Sequence, residues 1–90
     1  MYPYRYSEKL KRILKKLCKK DKKTYNAIIR KINEIINSAN IEHYKPLRYG
    51  LKGFKRVHIN SKVLVFEYNR KDDIISFEDF DHHDKIYKGK

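Results

Sequence analysis

The 90-residue sequence has no tryptophan, and it has only one cysteine, one methionine, two prolines and three glycines. A single thiol, Cys18, excludes an internal disulfide and a thiolate-built metal cluster. At its helical spacing Cys18 reads as a small buried apolar residue. No apolar run approaches the roughly 20 residues that span a bilayer. The first residues, MYPYRYSEKL, lack the apolar stretch of a signal peptide, so the expected location is the cytoplasm, with no membrane association. Acidic residues are also scarce. Eleven Asp and Glu stand against 23 Lys and Arg, leaving a net charge of +12. Such an excess works against a compact monomer by self-repulsion and is tolerated where the partner is a polyanion or an acidic protein. Nucleic acid is the leading candidate, ahead of an anionic membrane surface.

What is present suffices for one modest core, so residues 1–90 are read as a single domain without repeats or low-complexity linkers. Tyr2, Tyr4 and Tyr6 alternate with Pro3 and Arg5 at the period of a short strand, and Pro3 points to a strand start or an edge. Ser7 can cap a helix with Glu8 in its first turn, and Leu10, Ile13, Leu14 and Leu17 then form one apolar face. The rest of that helix is almost purely cationic: Lys9, Lys11, Arg12, Lys15, Lys16, Lys19 and Lys20. Asp21 can cap a second helix, whose stripe is Tyr25, Ile28, Ile29, Ile32, Ile35 and Ile36, with a polar stop from Asn37 to Asn40. After the irregular segment HYKPLRYGLKG, the runs FKRVHI and KVLVFEY read as a hairpin about Asn60-Ser61. Residues 70–73 form the next turn, and IISFEDF reads as the last strand. The predicted class is α+β, in the order β-α-α-β-β-β: a small twisted antiparallel sheet with an N-terminal helical hairpin packed on one face.

Within FKRVHI, alternation sends Val57 and Ile59 toward the helices, and Phe54, Arg56 and His58 toward the other face. Lys45, Arg48, Lys52, Lys55 and Lys62 flank that strand. A basic concavity with aromatic neighbours suits RNA, because cations neutralise phosphates and flat side chains stack on unpaired bases. The tyrosines at 2, 4, 6, 25 and 68 read as core or sheet-face residues. The lysines of the first helix read as a solvated face or as a contact for rRNA or an acidic protein.

The pieces YRYSEKLKRILKKL, KPLRYGLKGFKRVHI, KVLVFEY and HHDKIYK, in this order and spacing over nearly the whole chain, resemble the RelE-type toxins of toxin-antitoxin pairs. The resemblance implies the fold just derived and ribosome-dependent cleavage of mRNA in the decoding site. It also implies inhibition by a co-expressed RelB-like antitoxin within a toxin-antitoxin hetero-oligomer. Arg56 and His58, with Lys52 nearby, occupy what looks like the family's basic strand. His82, Ile86 and Tyr87 fit its C-terminal pattern. The sequence departs from the family at Val63, where an arginine is common, and at His83, where arginine is again commoner; a histidine there keeps a donor but makes its charge pH-dependent.

Metal-independent RNA cleavage needs a base for the 2'-hydroxyl, cations for the crowded phosphorane and an acid for the leaving 5'-oxygen. The candidate catalytic set is Arg56, His58, His82, His83, Tyr87 and Lys52, with Tyr87 or a histidine as base. Lys45, Arg48, Lys55 and Lys62 are candidate RNA contacts. No metal or cofactor is expected, since Asp81, His82, His83 and Asp84 lack a helical i, i+4 ligand pair or the separated ligands of zinc sites. Two further readings stand beside this one: a ParE-like toxin acting on DNA gyrase, which shares the fold, and a non-catalytic basic RNA-binding module.

Overall fold

The computed structural model describes residues 1–46 and 53–88, without the side chains of residues 83, 87 and 88. Ser7 opens the first helix as the spacing predicts. Its Oγ accepts from the Leu10 amide at 3.0 Å, and its hydroxyl donates to the Glu78 carbonyl at 2.6 Å, which ties the helix start to the sheet. From there α1 runs over Glu8–Lys20. Asp21 then serves two helices at once. Its amide donates to the Leu17 carbonyl at the end of α1, while its carboxylate accepts from the amide and hydroxyl of Thr24 at the start of α2, Lys22–Ile36. One residue therefore makes the corner of the helical hairpin, and those hydrogen bonds hold its carboxyl below the usual carboxylate range.

The strands are β1 (Tyr4–Tyr6), β2 (Phe54–Ile59), β3 (Lys62–Asn69) and β4 (Ile74–His82), in the spatial order β1-β4-β3-β2. β2, β3 and β4 form the predicted antiparallel meander, whereas β1 joins the edge of β4 in parallel, making the sheet mixed. The parallel pairing follows from connection length: the whole helical hairpin and two strands separate β1 from its neighbour, so no tight turn dictates opposite directions. Asn60 and Asp73 take the left-handed backbone conformation in the two hairpin turns, and Gly53 does so just before β2. Opposite Val65 and Phe66 of β3, the register slips by one and leaves Glu78 as the extra residue of a bulge in β4.

The two faces of the sheet carry separate apolar clusters. Leu10, Leu14, Ile28, Ile32 and Ile35 of the hairpin pack on Leu64, Phe66, Ile75, Phe77 and Phe80, with Tyr2, Tyr6, Tyr25 and Tyr68 at the margin. Tyr4 remains exposed at the edge, its ring against Tyr6 and Phe77. Cys18, expected to be buried, is only partly so and adjoins Lys22. On the other face lies a cluster without a counterpart in the sequence reading. The motif DHHDKIY is half strand and half helix: β4 continues to His82, and a short helix, α3 (His83–Lys88), turns back over the sheet. Ile86 of α3 seats on Val63 and Val65, with Phe54 beside them. Val63 is fully buried there, so the position where the family resemblance leads to an expectation of arginine is an apolar seat.

Candidate active site and its relatives

Strand alternation places Phe54, Arg56 and His58 on the α3 side of β2, directly across from Glu67, Val65 and Val63. Arg56 and His58 are joined at 2.9 Å between Nη1 and Nε2. A guanidinium only donates, so Nε2 accepts and the ring is neutral in this arrangement, with its proton on Nδ1. The Arg56 Nε is buried and has no hydrogen-bond partner among the described residues. The Arg56 backbone amide donates to the Lys45 carbonyl at 3.0 Å, which anchors the edge strand from the outside. A guanidinium aligned by one histidine on a half-buried sheet face is suited to a phosphate, because its donors are fixed before the ligand arrives. α3 lies on this same face through Ile86, and its backbone carries His83 and Tyr87, whose side chains lie outside the described residues.

The remaining candidates divide. Lys55 is paired with Phe66, on the hairpin side of β2. Its ammonium bonds the Tyr44 carbonyl at 3.3 Å and lies 3.5 Å from Glu42, and its side chain is only 13% exposed. Glu42 also binds Arg70, and these two cations hold its carboxyl low, Arg70 contributing first. Lys55 is thus part of a structural clasp, away from Arg56. Lys62 also lies on the hairpin side, 5.7 Å over the Phe80 ring, and its partner in register is His82, which is exposed. By register, then, His82 falls on the opposite side from Arg56 and His58. Lys45 is exposed beside the edge of β2, whereas Arg48 and Lys52 lie outside the described residues. Among the described residues, no group of three or more His, Cys, Asp or Glu is placed to hold a metal ion.

Sequence reasoning missed the far end of this face. Arg5 of β1, Ser76 of β4, Glu67 of β3 and Phe54 of β2 stand side by side across all four strands. Only pairing partners reveal such a row, and β1 pairs with a strand some 70 residues later.

Comparison with known proteins agrees with this architecture. No protein-family model matches the chain. A protein of the archaeon Methanocaldococcus jannaschii named "Putative toxin RelE4" is 50% identical over 91 aligned positions, covering 100% of this chain and 95% of that one. The chain belongs to the RelE-type toxins of toxin-antitoxin systems. An uncharacterized protein of Methanosarcina mazei is 40% identical over 88 residues, covering 97% of this chain and 100% of that one. Three solved structures share the fold. YafQ of Escherichia coli has a TM-score of 0.72 at 20% identity, covering 97% of this chain and 99% of that one. The isolated E. coli RelE toxin has a TM-score of 0.69 at 19% identity, covering 99% and 94%. The RelBE2 toxin-antitoxin complex of Mycobacterium tuberculosis has 0.59 at 20%, covering 91% and 98%. Within this RelE-type fold, Val63 lies under Ile86 and the Arg56 guanidinium pairs with His58.

Proposed function

We propose that this RelE-type toxin is a metal-independent endoribonuclease that cuts mRNA in the ribosomal decoding site and so stops translation in the cytoplasm. The observation that supports the reading is the Arg56 guanidinium aligned by His58 on the face against which α3 packs through Ile86. Arg56 stabilises the charge that develops on the phosphorane. A preorganised donor of this kind contributes about 10²–10³ in rate. Tyr87 or a histidine on this face takes the 2'-hydroxyl proton, and a second such group protonates the leaving 5'-oxygen. Lys52, with Lys45 and Arg48, holds the flanking phosphates. His82 and Lys62, on the hairpin side, and Lys55, held by Glu42, act at most at the margin of the message.

The partner that silences the toxin is an acidic, RelB-like antitoxin, in a hetero-oligomer. Support comes from a groove of about 390 Å³ between α1 and α2. Its floor includes Leu14 and Ile29, and its rim carries Lys11, Lys15 and Lys19, one above another at intervals of four residues. An acidic segment that orders as it docks would satisfy both floor and rim.

Primer extension on mRNA programmed into ribosomes tests the reading. The expected result is new 5' ends within the A-site codon only when protein and ribosome are both present. Intact messages with ribosomes at A-site occupancy would overturn it, and gyrase poisoning measured in parallel would favour the ParE-like reading.

A further inference from the structure

Arg12, Lys15, Lys16, Lys19 and Lys20 line a shallow depression of about 290 Å³ along the outside of α1. All five are exposed, and none forms an ion pair among the described residues. Their neighbours on the helix differ, since Lys9 is held by Asp79 and Lys11 by Glu8. Arg12, Lys16 and Lys20 follow at intervals of four and make one row up the helix, with about 6 Å of rise between neighbours. At about 100° per residue, Lys16 stands on the far side of the helix from Leu14, which is buried in the core. The row also lies outside the groove of Leu14 and Ile29, whose rim is Lys11, Lys15 and Lys19. An antitoxin segment that fills that groove therefore leaves the row open.

The composition of this face selects its ligand. It has no aromatic ring on which an unpaired base could stack, and no amide, hydroxyl or carboxylate to read a base edge. Its apolar surface consists of lysine and arginine stems, whereas a docked protein helix or a membrane needs an apolar stripe to cover. What remains is positive charge at a fixed interval on a rigid rod. Such a ladder meets a regular polyanion without first ordering it, as a flexible strand would have to be ordered. The sugar pucker of A-form RNA draws successive phosphates closer together than in B-form DNA, nearer to the rise of this row. We propose that the outward face of α1 binds the phosphate backbone of an RNA double helix, independently of base sequence and of the cleavage site.

Fluorescence anisotropy of a labelled, blunt RNA duplex tests this over a range of salt concentrations. The same strand unpaired and a DNA duplex of the same sequence are measured beside it. Each cation that meets a phosphate adds about one unit to the slope of log K against log salt. Replacing Arg12, Lys16 and Lys20 together by glutamine should therefore flatten the slope by about 2–3 and weaken binding by at least about tenfold. Glutamine is a good helix former, and circular dichroism checks that α1 persists. Lys23→Gln, Arg30→Gln and Lys71→Gln, combined, remove the same charge from exposed positions off α1 and should change the slope by less than about one unit. Equal losses in the two triple variants would reduce the effect to net charge and overturn the proposal. Wild-type binding to the single strand or the DNA duplex as tight as to duplex RNA would also overturn it. Polyglutamate bound more tightly than the duplex at equal charge, and weakened by the α1 variant, would assign the face to an acidic protein instead. The assay contains no ribosome and reads no cut, so its outcome is separate from that of the cleavage reading.

Discussion

Replacing Ile86 by alanine should separate α3 from the sheet without unfolding the rest of the protein. α3 has six residues, well below the roughly 12–15 at which an isolated helix becomes marginally stable, so its helical state depends on docking. Ile86 is 5% exposed and is the α3 residue in the cluster with Val63 and Val65. Burying such a side chain contributes about 1.5–3 kcal/mol. Removing most of it brings the docking free energy of a helix whose anchor among the described residues is Ile86 close to zero, so a minor undocked population becomes a large one. The hairpin core, centred on Phe66, Phe77 and Ile35, lies on the other face and keeps its contacts. Ile35→Ala should therefore cost about 2–5 kcal/mol of global stability. For Ile86→Ala the global loss should stay below about 1 kcal/mol, or roughly 4–8 °C in Tm for a domain of this size. Carbon chemical shifts of residues 83–88 would report the helix, calorimetry would report the global change, and cleavage should fall at least tenfold as His83 and Tyr87 lose their support. Native-like shifts for α3 together with a global loss as large as that of Ile35→Ala would refute the reasoning, because α3 would then belong to the main cooperative unit.

Arg56→Ala should reduce cleavage by about 10²–10³ with little effect on stability. His58→Ala should have a smaller effect that His58→Gln partly restores, since glutamine again offers an acceptor; single-turnover rates on programmed ribosomes decide between them. The Tyr68 hydroxyl donates to Asp73 at 2.6 Å, and that bond is the main reason its pKa is pushed up to about 12. A raised folded value means that the bond's contribution is complete below the ordinary tyrosine range near 10 and is lost as pH climbs through about 12. Tyr68→Phe should flatten the alkaline limb of the stability profile between those values, and an unchanged limb would contradict the assignment. Ser7→Ala removes an N-cap that also bonds the sheet, so denaturant titration should show a loss of about 1–2 kcal/mol. Val63→Arg should not raise cleavage. A guanidinium beneath Ile86 carries a desolvation cost of several kcal/mol, above the 1.5–3 kcal/mol that Ile86 provides, so α3 should undock and cleavage should fall. Higher activity with α3 still helical would show that the position tolerates the charge.

The hairpin was legible because three-and-four spacing over long helices is redundant: several aliphatic residues agree on one face, and Ser7 and Asp21 mark the starts. The meander was legible because its turns carry Asn60 and the Arg70–Asp73 run, and β2 and β4 alternate. α3 was not, since HDKIYK is too short to display a period and Ile86 resembles the continuation of a strand. A signal for it did exist. Val63, Leu64, Val65 and Phe66 form an unbroken apolar run, and a strand apolar on both sides is one covered on both sides. Something had to lie on the Val63 face, and the C-terminus was the segment left to do it. The direction of β1 and the face taken by Lys55 and Lys62 depend on pairing register, which local spacing does not encode.

The structure also separates two roles that net charge alone had merged. The cations of α1 that form no ion pair among the described residues, from Arg12 to Lys20, lie on the hairpin surface, away from Arg56. Distributed, solvent-exposed charge of that kind raises the encounter rate with any polyanion or acidic partner and is screened by salt. The α3 face is different: its cross-strand row contains one cation, one hydroxyl, one carboxylate and one aromatic ring, and so adds little net attraction. Such groups act on a ligand at short range, through hydrogen-bond geometry, and not by drawing it in. Salt should accordingly slow association through the hairpin while leaving the cleavage rate of already bound message nearly constant, and Arg56→Ala should do the reverse.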